Sequence, residues 1–275
     1  MSLIVAGVAG CASGAAPAPA AAPAGATPIA IGVTFSLDSR VLGERRVINV
    51  YLPPDYRHSL DDYPVLYMPD GGIDEDFPHI TGFVDVSIKN QVIRPMLVVG
   101  IQNTERRRDL VGPTTVAKER EIAPHAGGAD RFRQFLRDEL KPYIAKSFRV
   151  TRQSAIVGES LAGLFVLETL LVAPDLFDSY IAVDPSVWWN QQTLVRSAAA
   201  RFATWSTGPK KLFVTTSEES SSQDGVAILI AALEAARPSG VVWQYVPLPD
   251  EHHNTIFPIS AIRAFRTLFA ASPPS

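Results

Sequence analysis

Cysteine is almost absent from this chain, and neither sign of charge is in large excess. Cys11 is the only cysteine among the 275 residues, so an intramolecular disulfide is excluded. The formal net charge is −3 at pH 7, which gives no electrostatic reason to expect binding of nucleic acid. After the N-terminal segment, no apolar run reaches the roughly 18 residues that suggest a membrane-spanning helix. We therefore expect the remainder to form a domain that does not cross a membrane.

Signals for a metal or a cofactor are also missing. The chain has five histidines, but His252 and His253 are adjacent and the others are isolated, which is not the spacing of metal ligands. No glycine-rich phosphate-binding loop follows the first predicted strand. We therefore expect neither a metal nor a cofactor.

The N-terminal segment has its own composition. Residues 2–10 are small and mostly apolar, Cys11 follows them, and residues 12–28 are uncharged and rich in alanine, proline and glycine. This pattern resembles a bacterial lipoprotein signal with a disordered tether. It predicts a leader over residues 1–28, a folded domain over residues 29–275, a lipid anchor on Cys11, and a periplasmic, outer-membrane or secreted location. Since no lysine or arginine precedes the apolar segment, an ordinary disordered leader is the alternative.

The most informative motif is Gly-Glu-Ser-Leu-Ala-Gly at residues 158–163. A short apolar run leads into it and a long apolar run leads out, which predicts a strand, a sharp turn with Ser160 at its apex, and a helix. Such a turn presents the serine hydroxyl above the sheet, and the backbone N–H of Leu161 is free to hold an oxyanion. A serine that only caps a helix is the alternative interpretation.

Two later features favour the catalytic interpretation. The acidic pair Glu218 and Glu219 follows a predicted strand at residues 211–216, and the two histidines follow another at residues 241–246. Serine, acid and histidine in this order are typical of α/β-hydrolase triads. A serine hydroxyl needs a neutral imidazole to take its proton and a carboxylate to orient that imidazole.

The order of predicted elements fixes the fold class. Buried strands alternate with helices from residue 64 to the C-terminal region, which predicts an α/β fold with a mostly parallel sheet and helices on both faces. No long insertion suggests a large separate lid domain. Residues 184–207 are the segment that best fits a small cap.

Seven blocks of the chain resemble the bacterial esterase family of α/β-hydrolases that includes siderophore trilactone esterases, feruloyl and acetyl-xylan esterases and S-formylglutathione hydrolase. The resemblance covers residues 35–269, and its serine and histidine blocks are closest to the siderophore-esterase branch. The blocks are VINVYLP at 47–53, YPVLYMPDG at 63–71, PMLVVGI at 95–101 with NT at 103–104 and RRRDL at 106–110, GESLAGLF at 158–165, PDLFD at 174–178, PSVWW at 185–189 and EHHNT at 251–255.

The resemblance implies roles for individual residues. Ser160 matches the nucleophile and His253 the catalytic histidine, while His252 falls on a variable position. The family's acid usually follows the penultimate strand, where Glu218 and Glu219 both lie. Spacing does not separate the two, and we slightly favour Glu218. Asp184, at the end of an earlier strand, is a further candidate. The loop after Tyr67 matches the one that gives the second oxyanion donor, so Gly71 or Gly72 is expected beside Ser160.

Several positions depart from the family or have two interpretations. Glu159 stands where the family often has histidine, glutamine or arginine, and its carboxylate is expected to raise the pKa of the catalytic histidine. Trp188 and Trp189 fit an aromatic substrate wall or ordinary core packing. Arg106 fits a solvated loop, an anchor for an anionic substrate group, or an ion pair with Asp109 or a glutamate.

The combined pattern predicts a serine carboxylester hydrolase that works through an acyl-enzyme on a small-molecule ester. Siderophore lactones, aryl esters and short acyl esters all fit. One alternative is acyl transfer to an alcohol on the same fold. The other is a catalytically silent lipoprotein that binds a siderophore or a cell-wall component, and the ordered serine, acid and histidine argue against it.

Overall fold

The computed structural model describes residues 25–27 and 29–271, except for the side chain of Ser220. Contacts divide the chain into Met1–Ala30 and Ile31–Ser275, and the fold described below is that of the second unit. The predicted lipidation site, Cys11, lies outside the described residues. The division into a leader and a folded domain at residue 28 therefore stays a prediction.

One sheet of eight strands forms the centre of the second unit. Its order is β1-β2-β4-β3-β5-β6-β7-β8; β2 runs antiparallel to both β1 and β4, and the remaining neighbours are parallel. The predicted α/β fold with a mostly parallel sheet is confirmed. The strands are β1 (Gly32–Ser39), β2 (Glu44–Tyr51), β3 (Tyr63–Pro69), β4 (Leu97–Ile101), β5 (Val150–Glu159), β6 (Ser179–Val183), β7 (Lys210–Thr216) and β8 (Val241–Pro247).

Helices cover both faces of this sheet. A 3-10 turn, Pro54–Arg57, follows β2, and a π-helical turn, Leu136–Leu140, joins α4 to α5. Among the described residues, no helix combines the length and apolar character needed to cross a membrane. The helices are α1 (Phe77–Lys89), α2 (Arg106–Leu110), α3 (Ala117–Ile122), α4 (Ala129–Phe135), α5 (Lys141–Ser147), α6 (Leu161–Val172), α7 (Trp189–Arg196), α8 (Ala198–Ala203), α9 (Ser220–Ala236) and α10 (Ile256–Leu268).

The core lies in two layers because neighbouring residues of a strand point to opposite faces of the sheet. In β6, Tyr180 packs in the layer that contains α6 and α9, whereas Ile181 packs in the layer that contains α1 and α10. All five residues of β6 are buried. A strand buried on both faces has a continuous apolar sequence, which is why the central strands could be recognised from the sequence.

The parallel strands bring their carboxyl ends to one edge of the sheet. Ser160 follows β5, Asp184 follows β6, Ser217 follows β7, and His253 lies in the loop after β8. Open α/β sheets bind their ligands at this edge. The topology therefore gathers side chains that are far apart in the sequence.

Candidate active site

Ser160 occupies a sharp turn between β5 and α6. Its φ is 58° and its ψ is −119°, a conformation that costs free energy for any residue other than glycine. The Ser160 N–H donates to the Val183 carbonyl at 3.0 Å, which holds the turn against β6. A Cβ on Gly158 would lie 2.6 Å from the Ala162 carbonyl carbon. The turn therefore requires glycine two residues before the serine.

A chain of hydrogen bonds runs from Ser160 into the protein. His253 Nε2 lies 3.0 Å from Ser160 Oγ, and His253 Nδ1 lies 2.6 Å from Asp184 Oδ2. The Asp184 side chain is fully buried and the His253 side chain is 35% exposed. The imidazole therefore connects a half-buried hydroxyl with a buried carboxylate.

Hydrogen bonds keep the Asp184 carboxylate ionised. Ser217 donates its N–H to Oδ1 at 3.0 Å and its hydroxyl to Oδ2 at 2.6 Å. Burial opposes ionisation, but the hydrogen bonds from His253 and Ser217 outweigh it and hold the pKa of Asp184 below its ordinary value. The hydrogen bond with Asp184 in turn raises the pKa of His253, although burial of the imidazole acts in the opposite direction.

The structure contradicts the preference for Glu218 as the acid. The Glu218 carboxylate contacts Nδ1 of His252, not His253, and both of these side chains are more than half exposed. Glu219 is exposed and only adds a charge effect on His253. Asp184, the rival candidate, makes the contact because it directly follows β6, next to the strand that carries Ser160. The order of serine, acid and histidine along the chain is kept.

The predicted oxyanion donors differ in availability. No acceptor for the Leu161 N–H is found among the described residues, as expected at the first residue of a helix. The Gly71 N–H donates to the Ile101 carbonyl at 3.0 Å, and the Gly72 N–H donates to Glu75 Oε2 at 2.6 Å. Leu161 therefore offers a free donor, whereas the amides of Gly71 and Gly72 have acceptors in the structure. A second oxyanion donor from Gly71 or Gly72 stays a prediction.

Comparison with known proteins places the chain in a family. A family description that reads "Putative esterase" matches residues 39–238. The chain belongs to this esterase family. It is 29% identical over 238 residues to the ferri-bacillibactin esterase BesA of Bacillus subtilis, which covers 77% of this chain and 80% of that protein. This confirms the predicted family and enzyme class: the protein is a carboxylic ester hydrolase.

Solved structures agree with the fold of this esterase. An IroE-like serine hydrolase from Shewanella oneidensis has a TM-score of 0.80 at 28% identity, covering 86% of this chain and 80% of that one. The siderophore hydrolase EstB from Aspergillus nidulans has a TM-score of 0.76 at 22% identity, covering 91% of this chain and 98% of that one. At 22% identity, the second likeness shows the fold alone.

Arg106 of the esterase forms an ion pair, one of the predicted interpretations, but with a partner that the sequence did not indicate. Its guanidinium donates two hydrogen bonds to Asp70, at 2.7 and 2.8 Å, and a longer one of 3.4 Å to the Glu159 carbonyl. Asp70 directly follows β3. The partner is therefore neither Asp109 nor a glutamate side chain, and the pair connects the turn after β3 with the turn that carries Ser160.

The two tryptophans differ in their surroundings. Trp189 is 5% exposed, and its Nε1–H donates to the Gly112 carbonyl at 3.1 Å. Of the two interpretations, core packing therefore fits Trp189. Trp188 is half-buried, with its ring centroid 6.0 Å from that of Trp189. A place for Trp188 in a substrate wall stays a prediction.

Glu159 brings an acidic side chain next to Ser160. Burial is the main cause that raises the pKa of this carboxyl to about 7, with Asp76 and Asp70 adding to it and His253 and Arg106 opposing it. Its charge also contributes to the raised pKa of His253, as expected from the sequence.

Two serines of the site were not predicted from the sequence. Ser217 holds Asp184, as described above, and Ser186 places its Oγ 3.2 Å from Ser160 Oγ. The available signal for Ser186 was its place in the matched block at residues 185–189, directly after the Asp184–Pro185 pair. Among the described residues, no three histidine, cysteine, aspartate or glutamate side chains form a group that could hold a metal ion.

Proposed function

We propose that the esterase hydrolyses its substrate through an acyl-enzyme on Ser160, with His253 as the general base and Asp184 as the acid that orients the imidazole. The observation that carries this proposal is the continuous contact from Ser160 Oγ through the two nitrogens of His253 to Asp184. The lowered pKa of Asp184 supports it, because an ionised carboxylate keeps the imidazole proton on Nδ1 and leaves Nε2 free to accept.

The geometry supports the following sequence of steps. The Ser160 proton passes to His253 Nε2 while Oγ bonds to the ester carbonyl carbon, and the carbonyl oxygen becomes an oxyanion. The Leu161 N–H is available to stabilise that oxyanion; one such donor typically contributes about 2.7–4 kcal/mol. The imidazolium then gives the proton to the leaving alcohol oxygen. A water molecule then attacks the acyl carbon while its proton passes to His253. The bond from that carbon to Ser160 Oγ breaks, Oγ takes the proton back, and the carboxylic acid is released.

We propose a siderophore lactone as the substrate class. The support is that the relative from Bacillus subtilis is named a ferri-bacillibactin esterase, and that the matched length covers most of both chains. The test measures kcat/KM for a siderophore trilactone, a feruloyl ester and p-nitrophenyl acetate in parallel. We expect the trilactone to have the highest value. A higher value for the feruloyl ester would move the protein to another branch of the family.

We also propose that Cys11 carries a lipid that anchors the esterase in the cell envelope. The support comes from the sequence alone: an apolar segment before the cysteine and an uncharged tract after it. We expect membrane-associated esterase activity in a bacterial host and release of that activity by Cys11→Ser. Wild-type enzyme found only in the cytoplasm with Met1 intact would refute this proposal and leave the catalytic one standing.

Glu159→Gln is expected to shift the acid limb of the pH–rate profile to lower pH. The hydrogen bond with Asp184 is the main cause that raises the pKa of His253, and the charge of Glu159 adds to it. The neutral amide removes the contribution of Glu159. His253 must be neutral to accept the serine proton, so the variant keeps its activity at lower pH than the wild type. The measurement is kcat/KM against pH, which reports groups of the free enzyme.

Glu218→Gln is the matched control for this pH measurement, because Glu218 contacts His252 rather than His253. Its acid limb is expected to coincide with that of the wild type. An unchanged limb in Glu159→Gln, or a limb moved to higher pH, would show that Glu159 does not raise the pKa of His253.

A further inference from the structure

Ser186 is a buried side chain that contacts Ser160 and has no part in the steps above. It is 4% exposed, and its Oγ lies 3.2 Å from Ser160 Oγ. Its N–H donates to the Ser160 carbonyl at 3.0 Å, which fixes the two residues relative to each other. Among the described residues, Ser160 is the only hydrogen-bond partner of the Ser186 hydroxyl. A buried hydroxyl without a partner is costly, so this contact needs a proton between the two oxygens.

The direction of that hydrogen bond follows from the position of the protons. His253 Nδ1 faces the ionised Asp184, so the neutral imidazole carries its proton on Nδ1 and accepts at Nε2. Ser160 has one hydroxyl proton, and it donates this proton to Nε2 at 3.0 Å. The 3.2 Å contact between the two serines is therefore a hydrogen bond that Ser186 donates and Ser160 Oγ accepts.

We propose that Ser186 is a further catalytic residue of this esterase, which donates a hydrogen bond to the Ser160 oxygen during acylation. As the Ser160 proton passes to His253, Oγ gains negative charge before its bond to the carbonyl carbon is complete. Hydrogen bonds to charged oxygens are stronger than neutral ones. Ser186 keeps its own proton throughout, so the only proton transferred in this step is the one that passes from Ser160 to His253.

This hydrogen bond favours the transition state over the acyl-enzyme. Once Oγ has become the bridging oxygen of an ester, it carries less charge and accepts more weakly. The contribution of Ser186 therefore falls on acylation, which kcat/KM reports, and again on deacylation, in which Oγ regains charge as it leaves the acyl carbon. The inference rests on the proposed acyl-enzyme mechanism, and the experiment below tests the two separately.

Ser186→Ala is expected to lower kcat/KM for a p-nitrophenyl ester about ten- to a hundredfold, the range for losing a hydrogen bond to a charged group. Labelling of Ser160 by a fluorophosphonate should slow by the same factor, because it uses the same oxygen as nucleophile. The thermal midpoint should stay close to that of the wild type. Ser186→Cys, which fills the space with a weaker donor, should also lose activity.

Ser222→Ala is the matched control. Ser222 is 2% exposed and donates to the Pro185 carbonyl at 3.3 Å, so it is a buried serine against the same segment without contact to Ser160. We expect wild-type rates for this variant.

Three results would overturn the inference. The first is a wild-type rate in Ser186→Ala. The second is a wild-type rate in Ser186→Cys, which would show that filling the space is enough to explain the role of Ser186. The third is an equal loss of rate in Ser222→Ala. Fluorophosphonate labelling of Ser160→Ala would instead refute the proposed nucleophile itself, so the two failures are distinguishable.

Discussion

Ser160→Ala is expected to remove nearly all ester turnover, with a loss in kcat of about 10⁶-fold, as for triad nucleophiles in general. Alanine cannot form the acyl bond, and His253 is left with no proton to accept from this position. The fold should persist because the turn is held by backbone contacts, such as that between the Ser160 N–H and the Val183 carbonyl. The measurement is kcat with a p-nitrophenyl ester together with the thermal midpoint of unfolding.

The thermal midpoint is the internal control for this variant. Ser160 contributes little packing, and alanine would meet the same positive φ of 58° as serine, so a nearly unchanged midpoint is expected. Activity above about one hundredth of the wild-type value would identify a different nucleophile, given the magnitude usual for such residues.

Asp184→Asn is expected to lower kcat by about 10⁴-fold, the size of the same change in a serine-protease triad. The amide N–H can donate a hydrogen bond to Nδ1, which favours the tautomer with the proton on Nε2. That nitrogen then cannot accept the proton of Ser160. The measurement is kcat for the p-nitrophenyl ester at a pH where the wild-type His253 is neutral.

Glu218→Gln is the matched control for the acid, since it makes the same chemical change on the carboxylate that contacts the neighbouring histidine. Its kcat should stay within about threefold of wild type, as for an exposed pair of small energetic value. If Glu218→Gln were severe and Asp184→Asn mild, His253 would have to turn to the other loop during the reaction.

The fold, Ser160 and His253 could be predicted from the sequence for identifiable reasons. The buried strands are continuous apolar runs, and Ser160 stands in a turn motif whose glycine is required by the close approach of Ala162. His253 was separated from His252 by the five-residue family pattern at 251–255. Each of these signals is confined to a few consecutive residues.

The acid could not be chosen in the same way. Glu218 and Asp184 both follow a strand of the sheet, and the distance to His253 depends on how the loop after β8 returns over the strand ends. In the structure, Ser217 anchors the Asp184 carboxylate. That contact joins residues 33 positions apart, and no local sequence pattern predicts it.

The hydrogen bonds of the turn after β3 could not be predicted from the sequence either. The sequence indicates that Gly71 and Gly72 lie near Ser160, but it does not show where their N–H groups point. Their acceptors, the Ile101 carbonyl and the Glu75 carboxylate, become visible only in the structure. The Arg106–Asp70 pair likewise joins the turn after β3 to α2, which follows β4, and the two meet because β3 and β4 lie side by side.

Mass spectrometry of the trapped acyl-enzyme tests the central claim most directly. A slowly deacylating p-nitrophenyl ester is mixed with the enzyme, the reaction is quenched in acid, and the protein is digested and mapped. The mechanism predicts one added acyl group on the peptide that contains Ser160, and no such group in Ser160→Ala. An acyl group on another residue, or turnover of this ester with no acylated peptide at any time, would contradict it.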